Sequence, residues 1–255
     1  MVDRGAGLRW LSQGMNDVPA HDAWLSPVEA GYVASLRFPK RRSEFRLGRW
    51  TAKSAIARRL GLDASLDQLR RIVIDRAPDG APAPFLDGNP ADVYITMTDR
   101  ADQAVCLVGP PCTALGCDLE LVEPRSQGFV LDYLTPPEQA LVAAAPAGDA
   151  RDLVANLLWC GKESALKVLR TGLRRDTRSV EVSFPPEPAV DGWSPLLVRA
   201  VEGGTFPGWW QRFGAFVLTL AAAAPFAPPQ SLVDPPGLAS ATPAHAWATP
   251  RLAPR

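Results

Sequence analysis

One short stretch limits the possible folds of this chain more than any other: residues 115–122, with the sequence LGCDLELV. Its side chains are apolar except at Asp118 and Glu120, and a short apolar run is typical of a buried strand. Because side chains alternate along a strand, both carboxylates lie on one face. Buried acids need cations or donors opposite them, and a hard divalent cation suits oxygen ligands. The alternative is a strand end at which both acids reach water.

Composition favours a folded protein without a strongly charged surface. Hydrophobic residues make up 47% of the 255 residues, enough for the core of one large domain or two smaller ones. Lys plus Arg and Asp plus Glu number 27 each, so no net charge attracts nucleic acid or a membrane. The four cysteines lack CxxC spacing, which favours buried free thiols over a zinc site or disulfides.

The sequence gives no sign of export or of membrane insertion. No apolar run approaches the length of a membrane span, and the first residues, MVDRG, lack the apolar core of a signal peptide. We therefore expect a cytoplasmic protein that binds neither nucleic acid nor a membrane.

Periodicity and capping signals predict a mixture of helices and strands, the α+β class. Two long helices are predicted over residues 40–60 and 151–169, with Gly61 and Gly172 as stop signals. Each half has a long helix followed by strands, so the element order, without any residue-level repeat, indicates a duplication. Further helices are predicted over 27–36, 129–134 and 136–145, and strands over 72–74, 93–98, 104–108, 115–122, 179–184, 196–201 and 213–220.

These elements divide the chain into three parts. We expect an N-terminal lobe over residues 1–113, a similar C-terminal lobe over residues 114–225, and a ligand in the cleft between them. From residue 226 the sequence is rich in Pro and Ala and has no periodicity. Residues 226–255 are therefore predicted to be a disordered tail or an interdomain linker.

Four cations lie along one face of the first long helix. Arg42, Arg46, Arg49 and Lys53 are spaced 4, 3 and 4 residues apart, which places them in one narrow row. Like charges at this spacing weaken a helix, so a bound anion such as phosphate would offset the repulsion. The alternative is a solvated basic face.

The second long helix carries a row of a different kind. Trp159, Glu163 and Lys167 follow one another at intervals of four residues, so the acid lies between an aromatic ring and a cation. The alternative is an ordinary salt-bridged helix face with a half-buried tryptophan.

Together these segments resemble the signature of the 4'-phosphopantetheinyl transferases, G-x-D-x-E followed by W-x-x-K-E-x-x-x-K. The first part is carried by Gly116, Asp118 and Glu120, and the second by residues 159–167, WCGKESALK. Residues 42–56, with Gly48 and Arg49, are similar to the corresponding segment of the larger, two-lobed (pseudo-dimeric) members that serve polyketide and nonribosomal peptide synthases. The resemblance spans residues 37–220.

The resemblance implies a 4'-phosphopantetheinyl transferase-like fold with the active site between two similar lobes. It also implies a holo-[acyl-carrier-protein] synthase type of activity that requires Mg²⁺. Such an enzyme transfers the 4'-phosphopantetheine arm of coenzyme A to a serine of an acyl or peptidyl carrier protein and releases adenosine 3',5'-bisphosphate. The expected partner is a carrier domain of a polyketide or nonribosomal peptide synthase, and internal pseudo-symmetry makes a monomer sufficient.

The resemblance also assigns roles to residues. Asp118, Glu120 and Glu163 would be the metal ligands, and Lys167 would contact the pyrophosphate of coenzyme A. A serine hydroxyl is too weakly acidic to attack unaided, and Glu163 is the obvious base beside the metal. Glu138, in the sequence TPPE, is similar to a third acidic position of the family. The residues expected to bind coenzyme A are Arg42, Arg46, Arg49, Lys53, Thr98, Arg100, Lys162 and Lys167, with Arg49 the first choice for its 3'-phosphate.

One position departs from the family pattern. Where members carry a histidine in S-x-S-H, this chain has Asp99 in the sequence TMTDR. An anion about 4 Å from a phosphate costs on the order of 1 kcal/mol in water. Thr98 keeps a hydroxyl that can donate, and Arg100 is a substitute cation.

Asp99 leaves alternative functions open. The main alternative is a catalytically altered module that binds a carrier protein, or a carrier-bound substrate, without phosphopantetheinyl transfer; another is a different enzyme on the same fold. Carrier domains are acidic around their modified serine, so Arg170, Arg174 and Arg175 are predicted to form a docking patch.

Overall fold

The computed structural model describes residues 7–244, which form a mixture of helices and sheets, so the predicted α+β class is confirmed. The helices are α1 (Pro27–Ser35), α2 (Pro39–Leu60), α3 (Leu66–Arg71), α4 (Gln127–Tyr133), α5 (Pro136–Ala144) and α6 (Asp149–Val168). The strands are β1 (Arg9–Gly14), β2 (Ile72–Arg76), β3 (Pro82–Leu86), β4 (Asn89–Pro90), β5 (Tyr94–Arg100), β6 (Gln103–Gly109), β7 (Leu115–Leu121), β8 (Val180–Ser183), β9 (Ser194–Ala200), β10 (Thr205–Phe213), β11 (Phe216–Ala222) and β12 (Gln230–Ser231).

The strands form three sheets, with the orders β12-β1-β6-β5, β7-β11-β10-β9-β8 and β2-β3-β4. Neighbouring strands are antiparallel, apart from β1 and β12, which run parallel. Helix α2 packs on β1, β5 and β6, and α6 packs on β7 and β11. Strand β5 also contacts β7, so the first and second sheets meet beside the two acids.

Strand β7 has one apolar face and one face toward α6. Leu119 lies in a buried cluster with Trp10 and Leu107, which belong to the first sheet. The alternate residues face α6, because Asp118 bonds to Lys167 and Glu120 bonds to Trp159. The prediction that the two acids share one face is therefore confirmed.

The motif glycine allows α6 to pack closely against β7. A Cβ atom at Gly116 would lie 1.9 Å from the carbonyl oxygen of Ser164, much closer than two such atoms can approach. Glycine at this position therefore fixes the distance between the strand that carries Asp118 and the helix that carries Glu163.

The chain after residue 225 returns to the first sheet. Strand β12 pairs with β1, where the backbone N–H of Leu232 donates to the Trp10 carbonyl oxygen. Leu238 is fully buried in the cluster that contains Trp10. The prediction of a disordered tail is therefore wrong for residues 226–244, because β1 offers a free edge and a core position that these residues fill. Residues 245–255 lie outside the described part of the chain.

One predicted strand has different boundaries in the structure. The predicted strand over residues 213–220 is two elements in the structure, β10 and β11, joined at Gly214 with φ +57°. Strand β10 contains Pro207 and Gly208, which argue against a strand, yet a Cβ atom at Gly208 would lie 2.0 Å from the Leu220 carbonyl oxygen. Close pairing with β11 therefore requires the glycine.

Two compositional expectations concern cysteines and membranes. Cys106, Cys117 and Cys160 are buried free thiols, as predicted, whereas Cys112 is free and exposed. Burial raises the pKa of the Cys117 thiol to about 11.

Within residues 7–244, no helix combines the length and apolar character that crossing a bilayer requires.

Replacing Gly116 with alanine should destabilise the protein by about 1–3 kcal/mol, because the added methyl group pushes α6 away from β7. Urea unfolding measures the loss. Gly128→Ala is the control, since the nearest atom to its added Cβ is 3.8 Å away. Equal unfolding midpoints for the two variants would contradict this account of the packing.

Candidate functional site

Asp118 joins β5, β7 and α6 through one of its oxygens. Its Oδ1 accepts hydrogen bonds from the Thr98 hydroxyl at 3.0 Å and from the Lys167 ammonium at 2.9 Å. Lys167 also donates to the Cys117 carbonyl oxygen at 2.8 Å. The other oxygen, Oδ2, is buried and has no hydrogen-bond partner among residues 7–244. A buried acceptor in this state is suited to a cation or donor from outside the chain.

Glu120 is already paired through both of its oxygens. Its Oε2 lies 3.0 Å from a nitrogen of Arg100 and 3.0 Å from a nitrogen of Arg125. Its Oε1 accepts the indole N–H of Trp159 at 3.1 Å. Burial raises the pKa of Glu120 and Asp118 raises it further, while the two arginines oppose the shift. Arg100 also pairs with Glu123 at 2.6 Å, so this cation is held by acids.

Glu163 faces the same region without a protein partner. It is half-buried and makes no hydrogen bond or ion pair with another residue in the described chain. Burial raises the pKa of Glu163 to about 7, with smaller contributions from Asp118 and Glu120, while Lys167 opposes the shift. Nearby acids therefore disfavour the ionised forms of Glu120 and Glu163, and an added cation would relieve this repulsion.

The residues present fit a divalent cation in part. No group of three Asp, Glu, His or Cys side chains is arranged as a ligand set anywhere in residues 7–244. Asp118 Oδ2 and the Glu163 carboxylate nevertheless have no protein donor, so these two can take a metal ion directly. Glu120 can join them only if it loses contacts with Arg100, Arg125 or Trp159. The set of three metal ligands therefore stays a prediction.

A pocket of about 470 Å³ opens beside Lys167 and extends to the turn between β2 and β3. Its wall contains five cationic side chains but only two acidic ones. The charged and aromatic residues that line it are Arg49, Asp75, Arg76, Asp79, Tyr94, Lys167, Arg170 and Arg174. Such a pocket is suited to a ligand with several negative charges and an aromatic ring.

Of the predicted row of cations on α2, Arg49 lines the pocket, whereas Arg42, Arg46 and Lys53 do not. We therefore correct the prediction of a shared phosphate site for these three, because their side chains bond to residues of the segment before α2. Arg42 donates to the Leu36 carbonyl oxygen at 2.6 Å, Arg46 to Asp22 at 2.7 Å, and the fully buried Lys53 to Glu29 at 2.5 Å.

Arg49 is held at the edge of the pocket by two contacts. Its Nε lies 3.6 Å from a Glu29 oxygen, and its guanidinium lies 4.4 Å from the centre of the Phe45 ring. Burial lowers the pKa of Arg49, and Glu29 opposes this shift. The residue is therefore a positioned cation rather than a mobile surface side chain.

Two other predicted site residues face away from the pocket. Lys162 and Glu138 are fully buried and form an ion pair of 2.7 Å. Lys162 also donates to the carbonyl oxygens of Val180 at 2.5 Å and Thr177 at 3.0 Å. The predictions of a pyrophosphate contact for Lys162 and of a third site acid for Glu138 are therefore corrected, because this face of α6 packs on the start of β8.

Two of the three arginines of the predicted docking patch line the pocket instead of forming a separate surface. Arg170 pairs with Asp79 at 2.8 Å, and Arg174 donates to the Asp79 carbonyl oxygen at 3.2 Å. Both line the pocket and connect the end of α6 to the turn between β2 and β3. Arg175 lies apart from the pocket lining and pairs with Glu202 at 3.2 Å. The three arginines are thus not one free surface for a partner.

Several residues of the pocket wall are absent from the predicted coenzyme A site, although the sequence contains a signal for two of them. Glu163, Lys167, Arg170 and Arg174 are spaced 4, 3 and 4 residues apart, so the spacing of the row on α6 continues in the sequence beyond the last helical residue, Val168. Arg76 and Tyr94 have no comparable signal, because only the folded turn between β2 and β3 brings them to the pocket.

Asp99 is close enough to the acids to interact with them electrostatically. Its side chain is exposed at the end of β5, yet partial enclosure by the protein raises its pKa to about 6. Glu44 and Asp118 raise the pKa further, while Lys167 lowers it. The departure from the family pattern therefore places an additional negative group near the site.

Comparison with known proteins finds one matching family. Residues 114–192 match the model of the 4'-phosphopantetheinyl transferase superfamily, so the chain contains a domain of that superfamily. The match supports a transferase that moves phosphopantetheine in general, and the matched segment includes Asp118, Glu120, Glu163 and Lys167. No curated protein matches the chain.

Replacing Thr98 with valine should destabilise the protein by about 1–3 kcal/mol, because the hydroxyl also accepts the Leu119 N–H at 3.3 Å. Urea unfolding measures the change. Thr98→Ser keeps the hydroxyl and should retain most of the stability. A valine variant as stable as the serine variant would show that these bonds contribute little.

Proposed function

We propose that this chain is a Mg²⁺-dependent phosphopantetheinyl transferase that acts on coenzyme A and on a serine of an acyl or peptidyl carrier protein. One observation supports this most: Lys167 bonds to Asp118 on one side and lines the cationic pocket on the other. The acids and the anion pocket are therefore parts of one continuous site.

Coenzyme A would occupy the pocket with its pyrophosphate at Lys167. The adenosine part would extend toward Tyr94 and the turn between β2 and β3, where Arg49, Arg170 and Arg174 provide positive charge. These residues take the place of the larger α2 row as contacts for the 3'-phosphate. Bidentate arginine contacts suit a phosphate monoester.

Asp118 and Glu163 would hold the metal ion, with Glu120 as the third ligand proposed from the family pattern. When bound, Mg²⁺ neutralises charge on the non-bridging oxygens of the pyrophosphate, which is the main requirement of phosphoryl transfer. Lys167 adds a fixed positive charge on the same oxygens and is held in place by Asp118.

Glu163 is the proposed base. The serine oxygen of the carrier forms a bond to the phosphorus that carries the pantetheine arm, and the bond from this phosphorus to the adenosine-side phosphate oxygen breaks. The serine proton goes to Glu163, whose carboxylate has no competing donor in residues 7–244. Without a metal ion, burial raises the pKa of this carboxyl to about 7, and a bound cation would favour its ionised form, which is the form that accepts a proton.

We also propose the larger, two-lobed type of transferase, which acts as a cytoplasmic monomer on carrier domains of polyketide or nonribosomal peptide synthases. The support is twofold. Residues 42–56 have the sequence pattern of that type, and Arg49 of this segment lines the same pocket as Lys167.

A second candidate is a module that binds a carrier protein or its attached arm without transferring phosphopantetheine. Asp99 favours it, because an acid near Lys167 and Asp118 weakens the attraction of the site for a pyrophosphate. Asp99→His should tighten coenzyme A binding if this residue faces the ligand.

Incubation of an apo carrier protein with coenzyme A, Mg²⁺ and this chain should increase the carrier mass by one phosphopantetheine arm, measured by intact-mass spectrometry. Glu163→Gln should lower the rate by about 100-fold or more, because it removes both a ligand and the base. Glu187→Gln changes an exposed acid and is the matched control. No mass change across several carriers would favour the binding module.

Arg170→Ala and Arg174→Ala should each raise the Kd for coenzyme A by about tenfold, the loss expected for one charge-assisted contact. Isothermal titration of coenzyme A and of dephospho-coenzyme A, which lacks the 3'-phosphate, measures this. The variants should discriminate less between the two ligands than the wild type does.

Arg178→Ala is the control for these variants, since Arg178 is exposed, pairs with Asp176 and does not line the pocket. Equal losses for both ligands would place the 3'-phosphate elsewhere.

A further inference from the structure

One buried glutamate connects three elements of the second half. Glu138 accepts the backbone N–H of Thr135 at 2.7 Å, at the start of α5. It accepts the backbone N–H of Val182 on β8 at 2.8 Å and pairs with Lys162 on α6 at 2.7 Å. We call this arrangement, made by Thr135, Glu138, Lys162 and Val182, the second unit.

The first half contains the same arrangement. Glu29 accepts the backbone N–H of Ser26 at 3.0 Å, at the start of α1. It accepts the backbone N–H of Ile74 on β2 at 3.3 Å and pairs with Lys53 on α2 at 2.5 Å. Ser26, Glu29, Lys53 and Ile74 form the first unit.

The two units occur at a constant separation in the sequence. A separation of 109 residues relates Ser26 to Thr135, Pro27 to Pro136, Glu29 to Glu138, Trp50 to Trp159, and Lys53 to Lys162. The helices α1 and α2 followed by β2 thus correspond to α5 and α6 followed by β8. The conclusion that the chain has no residue-level repeat is therefore wrong, since residues 50–53 (WTAK) and 159–162 (WCGK) are one pattern.

The two units differ at the residue that follows the buried lysine, and only one of them has an acid there. Glu163 follows Lys162, whereas Ser54 follows Lys53. The buried lysine, its glutamate and its strand N–H are present in the half that lacks the acid. Their presence there indicates that the lysine fixes the helix and does not contact a ligand, in agreement with its complete burial in both halves.

Each unit lies directly behind a residue of the pocket. In the first unit, Glu29 lies 3.6 Å from Arg49, one helix turn before Lys53. In the second, Lys162 precedes Glu163 and lies five residues before Lys167 on α6. A shift of either helix would therefore move one wall of the pocket.

We propose that the two units are equivalent positioning devices for a single site: the first holds Arg49 against the pocket, and the second holds Glu163 and Lys167 beside Asp118. The inference about the site rests on the proposed function, whereas the equivalence of the units does not.

The test uses two matched sets of variants in the full chain: Lys53→Met and Lys162→Met, and the doubles Glu29→Gln/Lys53→Met and Glu138→Gln/Lys162→Met. Each single variant leaves a buried carboxylate unpaired and should lower the Tm by about 10 °C. Each double variant removes both charges and should recover at least half of that loss. Differential scanning calorimetry measures these shifts.

The doubles then separate the two roles. Glu138→Gln/Lys162→Met should lower kcat for carrier modification by about tenfold or more, because it shifts Glu163, and should also weaken coenzyme A binding, because it shifts Lys167. Glu29→Gln/Lys53→Met should raise the Kd for coenzyme A by about tenfold and leave kcat within about twofold. A purely structural role would not divide the effects in this way.

Several results would overturn the proposal. If Lys162→Met keeps the wild-type Tm but loses coenzyme A affinity while Lys53→Met loses neither, Lys162 is a ligand contact. If both doubles keep wild-type kcat and affinity, the units do not position the site, although the proposed function stands. If the wild type neither binds coenzyme A nor modifies a carrier, the proposed function fails, while parallel Tm losses would still establish equivalent units.

Discussion

The ion pair between Lys167 and Asp118 is the interaction on which the rest of the site depends. It joins the helix that carries Glu163 to the strand that carries Glu120, and its lysine also lines the cationic pocket. Its geometry requires α6 to approach β7 very closely, and Gly116 permits this approach. The Gly, Asp and Lys of the motif are therefore parts of one packing arrangement. A methyl group added at Gly116 would therefore shift Lys167 relative to Asp118.

The three acids differ in how many hydrogen-bond donors and cations the protein places against them, and this difference separates their roles. Glu120 receives two arginines and an indole N–H, so its charge is neutralised by the fold itself. Glu163 and one oxygen of Asp118 receive nothing from the described chain. Burial, and to a smaller extent repulsion from Asp118 and Glu120, raises the pKa of the unpaired Glu163 to about 7. The protein thus holds negative charge beside a positive pocket, an arrangement suited to a metal ion bound to a polyphosphate.

Sequence patterns predicted the elements of this site better than the direction of individual side chains. The strand with Asp118 and Glu120 and the row of Glu163 and Lys167 follow from periods of two and four residues, and the structure contains both. The row on α2 has equally regular spacing, yet the segment before α2 captures Arg42, Arg46 and Lys53. Which face of a helix meets solvent or another element depends on tertiary packing, which no local period encodes. Strand β12 and Leu238 were missed for the same reason, since a two-residue strand and one buried leucine produce no periodic signal.

The repeated unit has a consequence for how such a molecule can change. In a symmetric dimer of identical halves, every substitution is present twice, so a residue cannot be lost on one side and kept on the other. Here both halves belong to one polypeptide, and Ser54 occupies the position that corresponds to Glu163. The position that carries an acid in one half is therefore free to carry a serine in the other, although the framework behind both stays the same.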